Sequence, residues 1–224
     1  MLSFDHVSLV GPAQALAGLG LRLTPTPDDD RHARIHLDGS YLEWRASELP
    51  AALRGTGWFL RPADPTRIAQ TLAALDLDAG DPTPFHGADG TWSDITIGRG
   101  ALGAVVPVIT HRVDRPDWPP RRGAAHPNGA VAVAAIELAT PDSAALARLL
   151  GRLGAITRPV DATAGPTAPA QLELGPLRLA VTGGRVPALS ALTLRTRDGR
   201  ELRIELAATG PEGRAGPAAR SSGR

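Results

Sequence analysis

Apolar and polar positions along this chain fall into one order that repeats: an alternating run, a stripe at helical spacing, then two or three more alternating runs. Phe4 to Val10 alternates as a strand does. Gly11-Pro12 then opens a stretch in which Leu16 and Leu19 share a helical face and Gly20 suits the C-terminal cap. Gly57 to Arg61 repeats the strand, with Asp64 as an N-cap, Pro65 at the first helical position, and Ile68, Leu72 and Leu75 as the stripe. Val131 to Ala139 repeats it again before Thr140, Pro141 and Asp142, with Leu146, Leu149, Leu150 and Leu153 as the stripe and Gly154 at its end. The strands expected after the three helices are 34–37 and 41–45, then 93–97 and 104–109, then 171–174, 177–181, 192–196 and 201–206. This pattern predicts an α+β protein of repeated βαβββ units, with residues 1–113 as a pair and 131–206 as a third.

Between the pair and the third unit, residues 114–130 are rich in Pro and Arg, a composition that suits neither a central strand nor a helix interior. A long ordered surface loop is expected there, with Trp118 as its packing anchor. Residues 207–224 lack any apolar period and are expected to be a disordered tail.

Composition acts mainly by exclusion. With 42% hydrophobic and 21% charged residues over 224 positions, the chain has the make-up of an ordinary globular protein. Its 24 basic residues are all Arg and are offset by 23 acidic ones, so no field of one sign attracts nucleic acid or an anionic membrane. The absence of Cys removes thiolate nucleophiles, disulfides and Cys-ligated metals. No signal-like start and no long apolar run is visible, so a cytoplasmic protein is expected, and the Ala, Gly, Pro and Arg bias fits a bacterial genome rich in G and C. Neither a G-x-S-x-G nucleophile elbow nor a phosphate-cradling glycine loop occurs.

Period two places Phe4, His6 and Ser8 on one face of the first strand and Asp5, Val7 and Leu9 on the other, beneath the helix. Tyr41, Glu43 and Arg45 likewise share a face opposite Leu42 and Trp44. His6 and Glu43 thus both escape the helix side, and a curved sheet brings them into one concavity, where imidazole and carboxylate suit a divalent ion. The alternatives are a core-edge histidine bonded to a backbone carbonyl and a solvated glutamate on an edge strand. Arg121 and Arg122 are either a bidentate fork for an anionic substrate or exposed loop charges. Trp58, Phe59 and Trp92 are core or cavity wall, and Asn128-Gly129 is a turn or a substrate contact.

The segments FDHVSLVGP, DGSYLEW and HPNGAVAVAAIELATPDSAALARLLGRLG resemble the glyoxalase-like domain family of the vicinal oxygen chelate superfamily, over residues 3–206. That resemblance implies βαβββ modules forming curved mixed sheets around a small-molecule cavity, with helices on the outer face. It implies His6 and Glu43 as metal ligands, with Glu43 also the catalytic carboxylate and Zn, Fe, Mn or Ni as the ion, or else a metal-free site. Overlaying Pro12, Pro65 and Pro141 puts Phe59 and Ala135 where His6 stands, so further ligands would have to come from His111, His126, His36 or Glu205. His111, near the end of the second unit's last strand, is the expected third ligand. Trp58, Trp92, His126, Asn128 and Arg121 are the expected substrate contacts. The expected function is a glyoxalase-like enzyme, a lyase, isomerase or dioxygenase acting on a compound with vicinal oxygens, ahead of a metal-free binding protein. The expected partner is a small molecule, not a membrane or nucleic acid, and the third unit pairs either within the chain or across a homodimer.

Overall fold

A computed structural model describes residues 2–26, 29–47, 52–64, 68–74, 79–87, 90–98, 100–112, 123–158 and 169–207. The first unit runs β1 (Leu2–Gly11), α1 (Ala13–Ala17), β2 (Thr24–Thr26), β3 (Asp29–Leu37) and β4 (Ser40–Ala46). The second runs β5 (Arg54–Pro62), α2 (Ile68–Ala74), β6 (Thr83–Gly87), β7 (Gly90–Thr96) and β8 (Val108–Arg112). Their strands form one curled mixed sheet, a half-barrel, in the order β2-β3-β4-β1-β5-β8-β7-β6. In each unit the first strand runs parallel to the last, β1 to β4 and β5 to β8, and the two units join through the antiparallel pair β1 and β5. The seam is therefore an approximate two-fold axis that relates His6 to Phe59, Tyr41 to Val108 and Glu43 to Thr110.

Alternation decides which face is covered. Val7, Leu9, Ile35, Leu37, Leu42, Trp44, Trp58, Leu60, Ile95 and Ile109 are buried on the helix side with Leu16, Ile68 and Leu72. Two indoles end in satisfied polar tips there: Trp44 Nε1 donates to the Gly11 carbonyl at 3.0 Å and Trp58 Nε1 to the Val105 carbonyl at 2.7 Å. The strand expected at 104–109 starts only at Val108, because a 3-10 helix occupies Gly100–Val105 and bends at Gly103, whose φ is 55°. That bend brings the Val105 carbonyl to Trp58.

A second sheet contains β9 (Ala130–Thr140), β10 (Ile156–Arg158), β11 (Ala170–Leu174), β12 (Leu177–Gly183), β13 (Ala188–Thr196) and β14 (Glu201–Glu205), ordered β10-β11-β12-β9-β13-β14. Helix α3 (Ser143–Arg152) follows β9, its N-cap Asp142 accepting from the Ala145 amide at 2.8 Å. Its first four strands repeat the order of the first unit. β13 lies against β9 as β5 lies against β1, so β13 and β14 are a hairpin on the far side of β9. The two sheets meet closely: a Cβ added at Gly55 would sit 2.6 Å from Leu189 Cβ, and the Ala207 amide donates to the Leu53 carbonyl at 2.8 Å. No helix of the described residues is long and apolar enough to cross a membrane.

Candidate functional site

The uncovered face of the half-barrel is polar. Across β3, β4, β1 and β5, register places His36, Tyr41, His6 and Phe59 in one row and Arg34, Glu43, Ser8 and Gly57 in the next. The His6 imidazole is stacked between Tyr41, at 4.4 Å, and Phe59, at 4.0 Å, with interplanar angles of 15° and 8°. Two aromatic faces thus fix the ring's plane.

A bulge supplies its partner. Pairing of β1 with β5 slips between Phe4 and His6 and leaves Asp5 without an opposite residue, the irregularity by which a strand re-aims a side chain. Asp5 consequently leaves the helix side, contrary to the strict alternation expected from sequence, and its Oδ2 lies 2.7 Å from His6 Nδ1. Its Oδ1 lies 3.6 Å from Arg61 Nη1, while Arg61 Nη2 donates to the Gly39 carbonyl at 3.1 Å. Asp5 and His6 are 4% and 5% exposed, so this is a desolvated pair.

Two further carboxyls lie nearby, in opposite electrostatic settings. Glu43 accepts from Ser8 Oγ at 2.7 Å through Oε2, and its Oε1 lies 2.8 Å from His32 Nε2. Burial opposes its charge, but the His32 hydrogen bond, the positive fields of His6 and His32 and the Ser8 hydroxyl prevail and hold the carboxyl well below the usual range. Asp94, on β7, is the register partner of Thr110 on β8. Its Oδ1 is buried without a hydrogen-bond partner among the described residues. Burial raises the Asp94 carboxyl, with the charges of Glu43 and Asp5 adding to the effect, against a Thr110 hydrogen bond and the field of His6. The same basin thus favours the charged form of one carboxyl and the neutral form of the other.

The other sequence candidates scatter. Trp58 lies wholly within the core on the covered face, its indole nitrogen bonded to Val105, so it does not line the basin. Trp92 shares the face of Asp94 and stacks on Phe85 at 5.6 Å, which makes it a rim residue. His126 is a structural pin: Nδ1 accepts from the Arg22 amide and Nε2 donates to the His36 carbonyl, both at 3.0 Å, so neither nitrogen is left for a metal or substrate. Asn128 ties the same segment to the end of α1, donating to the Leu19 carbonyl at 2.7 Å and accepting from the Ala130 amide at 2.9 Å. His36 flanks Tyr41 at 6.5 Å in the basin's main row, whereas Glu205 is exposed in the second sheet, paired with Arg203. The backbone of His111 belongs to β8, but its side chain, like all of Arg121 and Arg122, lies outside the described residues. His126→Ala should leave the basin intact yet remove two part-buried hydrogen bonds, leaving the Arg22 amide without its acceptor while the His36 carbonyl keeps the Ala124 amide. At about 0.5–1.5 kcal/mol per bond the cost is about 1–3 kcal/mol, which thermal denaturation would measure as a lowered Tm.

The sequence profile of the Glyoxalase-like domain family matches residues 4–154. The chain belongs to that family. Solved structures that resemble this glyoxalase-like protein show the same fold, that of the vicinal oxygen chelate superfamily. A hypothetical protein from Staphylococcus aureus aligns with TM-score 0.63 at 10% identity, covering 92% of this chain and 100% of that one. Homoprotocatechuate 2,3-dioxygenase from Arthrobacter globiformis aligns at 0.58 and 14% identity, covering 93% and 81%. The Mn(II)-bound glyoxalase from Novosphingobium aromaticivorans aligns at 0.56 and 12% identity, covering 92% and 83%. Comparison with curated protein sequences gives no match.

A metal, which the family implies, can be tested against the donors present. A closed or catalytic site needs at least three protein ligands, and among the described residues no group of three His, Asp or Glu side chains is arranged to hold an ion. His6 keeps only Nε2 for a ligand, Nδ1 being engaged by Asp5, and each Glu43 oxygen already meets a partner, Ser8 or His32. The two-fold mates of His6 and Glu43 are Phe59 and Thr110, a hydrocarbon ring and a hydroxyl. The described side chains of the basin do not fit a tightly held divalent ion.

Proposed function

We propose that this glyoxalase-like protein is a small-molecule enzyme that moves a proton on a compound carrying oxygens on adjacent carbons, with His6 as the base. The observation that carries this reading is the Asp5–His6 pair, 2.7 Å apart and clamped between Tyr41 and Phe59. A carboxylate on Nδ1 selects the tautomer with its proton there and leaves the Nε2 lone pair to accept another, after which it stabilises the imidazolium. His6 Nε2 makes no hydrogen bond to the described residues. Glu43, held ionised beside Ser8 and His32, serves in this reading as a fixed negative charge near the imidazolium and not as the proton carrier. Trp92 and Phe85 offer the apolar rim against which a small ligand packs.

Phe59 and Thr110, standing where a second imidazole and carboxylate would complete the two-fold, favour a second reading, a metal-free binding protein. Proton NMR in D2O separates the two. The enzyme reading expects the protein to speed deuterium uptake at the carbon next to the carbonyl of hydroxyacetone or dihydroxyacetone, and His6→Ala to return it to the buffer rate. A raised Tm with these compounds and no exchange would sink the enzyme reading in favour of the binder.

A further inference from the structure

Asp94 stands outside the ligand positions that the resemblance implies and outside the Asp5–His6 pair, yet register puts it on the same face of the sheet, three strands from β1. Register with Thr110 places it two strands from Arg61, since continuing the Phe59 to Val108 pairing sets Arg61 beside Thr110 on the same face. The charges it senses are His6 and Asp5 on β1 and Glu43 on β4. Its Oδ1 is sealed from solvent and bonded to nothing in the described protein, a costly arrangement for a buried polar atom unless a ligand completes it.

We propose that Asp94 is the basin's second catalytic residue, the acid that carries a proton between the two oxygens of an α-hydroxy aldehyde or ketone, making the protein an aldose–ketose type isomerase. The assignment rests on His6 being the base. In the forward direction the C2–H bond of the aldehyde breaks and its proton goes to His6 Nε2. The electron pair forms the C1–C2 double bond, and the carbonyl oxygen takes the proton of the Asp94 carboxyl, giving an enediol. Asp94, now a carboxylate, removes the proton of the other hydroxyl while the imidazolium returns its proton to C1, giving the ketone. C2 is oxidised and C1 reduced within one molecule, so no external oxidant or reductant is needed. Burial, which raises the Asp94 carboxyl, favours the protonated form that donates, and Thr110 is its partner across the strand pair.

The test follows D-glyceraldehyde and dihydroxyacetone by proton NMR in D2O with wild type, Asp94→Asn, Asp94→Ala and His6→Ala. Asp94→Ala should lower both deuterium uptake and isomerisation by about 10²–10³-fold, the loss typical of one removed donor to a developing oxyanion. Asn keeps a donor but cannot relay a proton, so Asp94→Asn should retain more of the deuterium uptake than of the isomerisation. Because the folded carboxyl is raised, its ionised form costs stability that builds as pH climbs above the ordinary 3.8. The Asn variant should therefore be at least as stable as wild type near neutrality, and lost activity cannot be ascribed to unfolding. Wild-type rates in Asp94→Ala with none in His6→Ala would overturn the role of Asp94 and leave His6 standing. No acceleration by the wild type would overturn both.

Discussion

Asp5→Asn should lower the rate of proton abstraction by about 10³–10⁴-fold while leaving the fold and KM nearly unchanged, by analogy with the loss of the orienting carboxylate in a catalytic triad. Arg61 determines why the effect is so large. An amide at position 5 has one acceptor and one donor end, and Arg61 Nη1, 3.6 Å from Oδ1, demands the acceptor. The amide nitrogen must then face His6 Nδ1, where the carboxylate oxygen now lies at 2.7 Å. A donor there forces Nδ1 to accept, so the ring proton moves to Nε2 and the base is blocked. Steady-state kinetics would separate this from a packing defect. A fall in kcat at constant KM is expected, and equal changes in both would argue that Asp5 merely shapes the basin.

Glu43→Ala is expected to cost about 3 kcal/mol, because it removes the acceptor of Ser8 Oγ and the close charged partner of His32, leaving two part-buried polar groups without it. The same carboxylate gives the protein an acid limb. Its folded value lies below the ordinary 4.5, so its contribution is complete above about 4.5 and is lost progressively as pH falls below it. Wild type should lose stability through that window, and Glu43→Gln should lose less there while being less stable at pH 7. Urea unfolding at several pH values checks both, and identical pH profiles for the two proteins would show that Glu43 does not carry the charge assigned to it.

The helix-facing half of the fold was legible because period and burial coincide: Val7 and Leu9, Leu42 and Trp44, Leu146 and Leu150 each read as covered and are covered. The short strands Thr24–Thr26, Thr83–Gly87 and Ile156–Arg158 were not, since each is an edge strand, and exposed edges impose no alternation; all three residues of the last are exposed. The site was half legible. Alternation aimed His6 and Glu43 at the basin, but Asp5 was hidden by the bulge that brings it to His6. One signal was available, an acid on the same predicted face as Val7 and Leu9, where a lone carboxylate would be buried without a partner. His32, Asp94 and Thr110 gave none. They meet the site only through strand pairings that chain spacing does not encode.

The central claim is that the basin moves protons with its own side chains. The most direct measurement is deuterium uptake into dihydroxyacetone by wild-type protein dialysed against a chelator, then assayed without added metal and with one equivalent of Zn, Mn, Ni or Fe. Exchange that survives chelation, is indifferent to every ion and disappears in His6→Ala is the expected result. Exchange that vanishes on chelation and returns with one ion would contradict it, and would place His6 and Glu43 around that metal instead.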